Sequence, residues 1–451
     1  MKSTRRFLSK IRSRASQFFH RSSLQDDPLA PIERLPPELR LEILISLDYS
    51  SFRALIHASP TYFQQYIYDS SHILCQCLAR QLGPANLDAF AAYRSGKPDF
   101  LEKRDREEVR GFIGEYSKLR SDPNDFDIAK WVNAREARDM LLFHERVVRP
   151  LVERYADWAL ANLAAEVRVE NSVQGPQQKR RRPLSAAEQM RITRALYRAQ
   201  LYSNLFGHGA AWTRLQYGPQ LHVLYSSVEV VMECFAQFEP WEVEELVCVF
   251  EFGKEKYAHV FEEIKNVIEP NDEDGVPAIP LEDGWERQDL LGGTVFSGLQ
   301  PLLAILSQES PTPESLIPIV KPNLRLGGYL FESALLRQSQ TNRRTSRLPS
   351  PLLSHASARD LKQKNREAHP FKGDTVGGLY PSQAAAHPPF AWTVMWKGTW
   401  CNLWGKYING DLRKWGYVMW DRTRMEEEGG MDVLSRQWDD GRDVREEIEG
   451  L

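Results

Sequence analysis

The chain has little cysteine and no long apolar run. Its 451 residues include only five cysteines, an odd number, and most of these lie in apolar helical patterns. Such thiols are typical of a reduced intracellular protein rather than of a disulfide-stapled secreted one. No stretch reaches the roughly 18 apolar residues that a membrane-spanning helix needs. We therefore expect a protein of the cytoplasm, the nucleus or both, without a transmembrane segment.

Motifs of catalysis and of metal binding are also missing. The chain has no H-E-x-x-H, no G-x-S-x-G and no P-loop lysine, and the glycine-rich residues 291–298 are therefore expected to form a plain loop. Cys75 and Cys77 have no second cysteine pair for zinc, and Pro270 stands where a calcium loop needs its first carboxylate. We expect no enzyme activity, no metal and no cofactor, although a site assembled from distant residues leaves no motif.

Charge is balanced overall and uneven locally. The net charge of −3 gives no global field for nucleic acid, so we expect no nucleic-acid partner. Residues 1–25 carry seven basic residues and no acid, with their apolar positions on one helical face. This pattern fits a basic disordered tail, a mitochondrial targeting helix or a membrane-surface segment. A second basic run is either a nuclear-localisation patch or a solvated charge run, and comprises Lys179, Arg180, Arg181 and Arg182.

Most of the chain repeats its apolar residues at the helical spacing of three or four. We predict an all-α fold with an N-terminal helical hairpin, an irregular multi-helix body, and a long disordered insertion before a tryptophan-rich C-terminal element. Ser185 and Glu188 form a capping box at the start of one helix, and Pro150 and Pro240 open two others. The predicted segments are 1–30, a basic disordered or targeting tail; 31–80, a helical module; 81–268, a helical body with a linker at 170–183; 269–336, irregular and Gly/Pro-rich; 337–389, disordered; 390–424, the tryptophan-rich element; and 425–451, an acidic tail.

The tryptophan-rich element holds six of the chain's twelve tryptophans. Trp392, Trp396, Trp400 and Trp404 step by four, which on a helix places them along one side. Such a stripe either closes a core, packing the C-terminal segment onto the helical body, or forms an aromatic recognition surface.

Residues 31–62 predict two short helices near the start of the chain. Pro37 suits a first helical turn, and Ser50 or Ser51 suits the N-cap of a second helix that Pro60 ends. Helices of fewer than about a dozen residues do not persist alone in water, so packing must hold them. Both helices are apolar on more than one face, and the second face needs a partner either within the chain or outside it.

This stretch resembles the F-box, the docking module of substrate adaptors of cullin-RING (SCF-type) ubiquitin ligases. The likeness rests on a Leu-Pro-x-Glu-Leu start at Leu35, on the register of the apolar positions that follow, and on Tyr62 where the pattern usually has tryptophan. Residues 238–250 and 412–424 also resemble later segments of fungal F-box-like proteins, a group whose biochemistry is mostly unassigned. The resemblance implies a three-helix module that binds a Skp-type adaptor, and through it a cullin, with the contact residues Leu35, Pro36, Glu38, Leu39, Ile43 and Leu44; Leu47, Phe52 and Leu55 would contact the adaptor or support the hairpin.

Two functions follow from these observations. In the first, the hairpin docks a Skp-type adaptor while the helical body presents an unknown protein substrate, and the associated ligase supplies the chemistry. In the second, the chain is a non-catalytic helical scaffold whose hairpin is purely structural. Solvent exposure of Leu35, Pro36, Leu39 and Ile43 separates the two, because a large exposed apolar patch requires a partner.

Overall fold

The computed structural model describes residues 30–121, 126–170, 182–207, 225–268, 277–337, 358–374, 387–438 and 443–446. These ranges are mostly helical and contain no β-strand; one isolated bridge joins Ala368 to Thr399. The predicted all-α class is confirmed. No single helix in these ranges has the length and apolar character to cross a bilayer, and one pair, bent by 99°, passes that test jointly: Trp285–Val295 with Leu299–Leu306.

The chain divides into two compact units after Cys77. We call residues 1–77 the N-terminal unit and residues 78–451 the main unit. In the N-terminal unit a 3₁₀ turn, Pro31–Arg34, precedes three helices. They are α1, Pro37–Ser46; α2, Tyr49–Ala58; and α3, Pro60–Leu82, which runs past the unit boundary and is non-helical at Asp69.

The main unit is built from many short helices around a few long ones. The helices are α4, Asn86–Ser95; α5, Pro98–Lys103; α6, Arg106–Ser121; α7, Ala134–Phe143; α8, Arg149–Glu170; α9, Ala186–Phe206; α10, Ser227–Glu229; α11, Pro240–Ile264; α12, Trp285–Val295; α13, Leu299–Leu306; α14, Pro313–Val320; α15, Gly328–Arg337; α16, Ala358–Lys364; α17, Phe390–Met395; α18, Gly410–Lys414; α19, Arg422–Glu427; and α20, Gly430–Gln437. Two π turns, His144–Val148 and Val230–Cys234, continue α7 and α10.

Two long helices, α9 and α11, form the centre of the main unit. Nearly every residue of α9 is buried, and so is the first half of α11. The predicted capping box opens α9, where Ser185 and Glu188 exchange hydrogen bonds with each other's backbone N–H groups. Pro240 lies in the first turn of α11, where its missing N–H leaves no hydrogen bond unmade.

The segment predicted as irregular, 269–336, is instead mostly helical from residue 285 onward, in α12 to α15. Its prolines lie where helices tolerate them, for example Pro313 in the first turn of α14. Its glycines permit close helix packing rather than a loop. A Cβ on Gly293 would lie 2.2 Å from the carbonyl oxygen of Arg325, and one on Gly328 would lie 2.6 Å from the Cα of Gly292.

Residues 358–374 are ordered, so the prediction of disorder for 337–389 is wrong for this part. Helix α16 lies there, with Gln363 buried and its side-chain oxygen accepting a hydrogen bond from the Asn402 backbone. Arg359 donates to the carbonyl oxygen of Phe238 at 2.6 Å. These partners are distant in sequence, which is why local composition did not reveal them. Residues 338–357 and 375–386 lie outside the described residues.

The tryptophan-rich element is part of the core. Trp392, Trp396, Trp400 and Trp404 are each at most 7 % exposed, so they close a core rather than form a surface. They do not share one helix, because α17 ends at Met395 and the backbone turns left-handed at Lys397 and Gly398. The acidic segment is also not a free tail as far as it is described, since α19 and α20 bury Met425, Val433 and Leu434.

Candidate functional site

The N-terminal unit is held together by contacts between its turn and its helices. Glu33, in the 3₁₀ turn, accepts a hydrogen bond from the Ser59 hydroxyl at the junction of α2 and α3. The Tyr62 hydroxyl, on α3, donates to the carbonyl oxygen of Ile32 at 3.1 Å. The chain that enters α1 is thus attached directly to α3, and this arrangement fixes the direction in which α1 begins.

The connection between α1 and α2 is fixed by a carboxylate cap. Asp48 accepts hydrogen bonds from the backbone N–H groups of Ser50 and Ser51 at 2.9 Å and from both serine hydroxyls. The hydroxyls of Ser50 and Ser51 hold the pKa of Asp48 well below its usual value. The sequence pointed to a serine as the cap of α2, whereas Asp48 has this role and the serines assist it.

The predicted partner-binding residues divide into three groups by exposure. Leu44 and Phe52 are buried, at 0 % and 1 %, so they support the unit rather than present a surface. Phe52 packs edge-on against Tyr66 of α3, with ring centroids 5.4 Å apart. Of the other residues, Pro36, Glu38 and Leu39 are exposed, and Leu35, Ile43, Leu47 and Leu55 are half-buried.

Three of these residues form an apolar stripe along one side of α1. Leu39 and Ile43 are four residues apart and lie one above the other on the surface of α1, and Pro36 is the N-cap residue just before the helix. We call this set the α1 stripe. Leu39 is 51 % exposed, whereas Leu44 on the same helix is buried. The stripe can therefore accept a partner without disturbing the buried side of α1.

The same unit exposes apolar residues that the sequence reading did not select. Ile32 is 42 % exposed, Ile67 is 56 % exposed and Tyr68 is 77 % exposed. Ile67 and Tyr68 immediately precede Asp69, where the backbone leaves the helical conformation. An interrupted helix was the available signal, since residues 63–71 are polar and predict a weak third helix.

The candidate nuclear-localisation patch lies mostly outside the described residues. Of its four members only Arg182 is described, and its guanidinium donates to the carboxylate of Asp421 at 3.2 Å. The N-terminal basic segment up to residue 29 and the acidic residues 269–276 also lie outside them. All five cysteines are buried and none forms a disulfide. In the described ranges no group of three potential metal ligands occurs.

Sequence reasoning missed a buried network of charges in the main unit. Arg194 of α9 makes a bidentate ion pair with Glu245 of α11, with both N–O distances at 2.6 Å. Arg198 bridges Glu242 at 2.9 Å and Asp88 at 3.1 Å. Burial alone would raise the pKa of Glu242, but Arg198 and the other guanidiniums around it hold that pKa well below its usual value.

Two further pairs attach the C-terminal element to the same helices. Arg413 donates to Glu244 at 2.8 Å, and Arg424 donates to Glu188 at 2.7 Å. Charged residues repeated at helical spacing inside an otherwise apolar pattern were the available signal for all of these pairs. The network pairs buried side chains of different helices with each other, which indicates a structural role.

Comparison with known proteins gives no family for this chain. No family model matches it, and no curated protein or solved structure matches it. The function is therefore argued from the residues and their geometry.

Proposed function

We propose that the protein is a substrate adaptor of a cullin-RING (SCF-type) ubiquitin ligase. In this proposal the N-terminal unit docks a Skp-type adaptor, which links it to the cullin, and the main unit presents an unknown protein substrate. The chain itself carries out no chemistry, since an adaptor acts by holding the substrate near the ligase.

The observation that carries the proposal is the division of α1 into two sides. Leu44 is buried, whereas Leu39, five residues earlier on the same helix, is 51 % exposed. Burying a whole leucine side chain contributes about 1.5–3 kcal/mol, so covering the exposed half of Leu39 contributes roughly 1 kcal/mol. Pro36, which is exposed, and Ile43, which is half-buried, lie next to Leu39, so a partner that covers Leu39 would contact them as well.

The three-helix layout of the N-terminal unit also supports the proposal. The resemblance implies a small module of three helices, and the N-terminal unit contains α1, α2 and most of α3. Its internal contacts, from Glu33 to Ser59 and from Tyr62 to Ile32, do not use the α1 stripe.

The test is a calorimetric titration of the purified full-length protein with the host's Skp-type adaptor. We expect the wild type to bind at one-to-one stoichiometry and Leu39→Asp, Ile43→Asp to weaken binding at least about tenfold, because a buried unpaired carboxylate is costly. Leu361→Asp is the matched control, since Leu361 is 49 % exposed in the main unit.

Circular dichroism shows whether each variant is folded, and binding is compared only between folded proteins. Loss of binding by the folded double variant, with normal binding by Leu361→Asp, supports the proposal. No binding by the wild type, or unchanged binding by the folded double variant, rejects it and favours the scaffold function. If the double variant unfolds, Leu39→Gln replaces it, because its side chain is more than half exposed and Gln is well tolerated in helices.

A further inference from the structure

The main unit contains a cavity of about 630 Å³ that is open to solvent. It lies between α4, the π turn His144–Val148, α9 and the residues that lead into α13. Cavities that bind small molecules typically measure about 300–1,000 Å³ and are mostly apolar with a few polar groups. Size alone therefore places this cavity among ligand-binding cavities.

One wall of the cavity is held rigidly by amide side chains. Gln200 of α9 accepts a hydrogen bond from the Leu299 backbone N–H at 2.9 Å and donates to the Asn204 side chain at 2.8 Å. Asn204 in turn donates to the Ala92 carbonyl oxygen of α4 at 2.8 Å. The positive φ of Gly298, +110°, lets this backbone approach the Gln200 side chain. The wall is thus preformed, and its amide groups are already paired.

The opposite wall is shaped by the π turn. A π turn inserts one extra residue into a helix and occurs often at functional sites. Val147, within the turn, and Phe143, just before it, both line the cavity. The His144 Nδ1 lies 3.1 Å from the hydroxyl of Tyr197, another lining residue. Burial, together with the nearby Arg149 charge, lowers the pKa of His144 to about 4, so the ring is neutral at pH 7.

The charged residues at the cavity differ in whether they have a partner. Lys97 pairs with Glu136, and Asp139 has Arg138 at 3.8 Å. Arg146, on the π turn, is exposed to solvent and, within the described part of the chain, makes neither a hydrogen bond nor an ion pair. The cavity therefore presents paired polar groups, an apolar interior and one unpaired guanidinium.

We propose that this cavity binds a small amphipathic carboxylate. The apolar part of the ligand would pack against Leu101, Met140 and Phe143, and its carboxylate would pair with Arg146. A guanidinium fork matches a carboxylate with two parallel hydrogen bonds, and such charged hydrogen bonds are the stronger ones. A second carboxylate on the ligand would lie either near the carboxylate of Asp139, which repels it, or against apolar side chains. A ligand with one negative charge therefore fits best. This inference does not depend on the proposed adaptor function.

The test uses octanoate and octan-1-ol, which share an apolar chain and differ in charge. Isothermal titration of the full-length protein is expected to show octanoate binding at least about tenfold more tightly than octan-1-ol. Arg146→Gln should remove that preference, and Arg149→Gln, a change at a nearby arginine that does not line the cavity, should keep it. Ala89→Leu adds a larger side chain at a buried lining position and should abolish binding of both compounds.

Three outcomes would each overturn the proposal. They are the absence of octanoate binding to the wild type, an octanoate preference that persists in Arg146→Gln, and wild-type binding by a folded Ala89→Leu. Circular dichroism establishes whether each variant folds. If Ala89→Leu does not fold, the ratio of the two affinities in the wild type and in Arg146→Gln still decides the matter.

Discussion

Replacing Arg194 with methionine would remove one side of a deeply buried ion pair in the main unit. The Arg194 and Glu245 side chains are 3 % and 0 % exposed, and the two guanidinium nitrogens Nε and Nη2 each lie 2.6 Å from a carboxylate oxygen. Arg194 also reaches Glu242 at 3.2 Å, but that carboxylate keeps Arg198 and Arg120 as partners. The change therefore isolates Glu245.

The size of the effect follows from what Glu245 does without its partner. Breaking a buried pair by removing one side costs about 3–5 kcal/mol. The carboxylate can avoid part of this cost by binding a proton, since burial already raises its pKa above the usual value of 4.5 even with Arg194 present. At 1.36 kcal/mol for each pH unit, protonating an ordinary glutamate at pH 7 costs about 3.4 kcal/mol, which limits the loss. We expect Arg194→Met to lower the free energy of unfolding by about 3–4 kcal/mol at pH 7.

The loss has a pH dependence whose sign is fixed. In the variant the folded-state pKa of Glu245 lies above its unfolded-state pKa. The free energy of unfolding is therefore highest at low pH, where Glu245 is protonated in both states, and it falls as pH rises from about 4.5 toward neutrality. The destabilisation should shrink by about 2–3 kcal/mol between pH 7 and pH 5. The double variant Arg194→Met, Glu245→Met should recover most of the stability, because two apolar side chains replace two charges.

Urea unfolding followed by tryptophan fluorescence measures these differences in the main unit alone, because all twelve tryptophans lie after residue 77. Lys414→Met is the control, since Lys414 and its partner Asp411 are 65 % and 54 % exposed and such pairs contribute less than about 1 kcal/mol. A loss below about 1 kcal/mol for Arg194→Met, or a double variant as unstable as the single one, would refute this reasoning.

Three further predictions concern single sites. Asp48→Ala should weaken the N-terminal unit by about 1 kcal/mol through loss of the helix cap, seen as faster hydrogen exchange in residues 49–58, and unchanged exchange there would contradict it. Gly111→Ala should raise the free energy of unfolding by roughly 0.5–1 kcal/mol, because nothing lies within 4 Å of the added Cβ, whereas Gly293→Ala should lower it by about 1–3 kcal/mol through a clash with backbone; equal effects in urea unfolding would contradict the packing argument. Because the pKa of buried His144 is lowered to about 4, the main unit should lose stability as pH falls from about 6.5 to 4, and His144→Phe should reduce that loss; an identical pH profile for both proteins would contradict it.

Patterns among neighbouring residues predicted most helices, whereas most errors come from contacts between residues that are distant in sequence. The capping box at Ser185 and the helix start at Pro240 depend on neighbours within four residues, so the sequence alone was sufficient. The predicted helix start at Pro150 is wrong, because Pro150 follows the π turn His144–Val148 within one continuous helical stretch. The run of tryptophans predicted one helix, but α17 ends where Lys397 and Gly398 adopt positive φ, and only the glycine was a local sign of this. Helices α12 to α15 were missed because glycine and proline were read as loop formers without their packing partners.

The candidate docking surface was predicted in composition but not in detail. The spacing of apolar residues placed Leu39, Ile43 and Leu44 on α1, yet periodicity does not determine which side of a helix the rest of the chain covers. That depends on contacts such as the ring packing between Phe52 and Tyr66, which involve α3. The same reason explains why the exposed Ile67 and Tyr68 were not selected.

The ion pairs of the C-terminal element restrict where the main unit can bind a substrate. Glu244 and Glu188 are neutralised by Arg413 and Arg424, which lie 169 and 236 residues further along the chain. Both ion pairs would break if the C-terminal element moved away, and they hold this element on α9 and α11. The buried tryptophans are thus closed to a partner for as long as the main unit is folded. If the chain acts as an adaptor, its substrate must bind another part of the main unit, and not the tryptophan cluster that the sequence offered as a recognition surface.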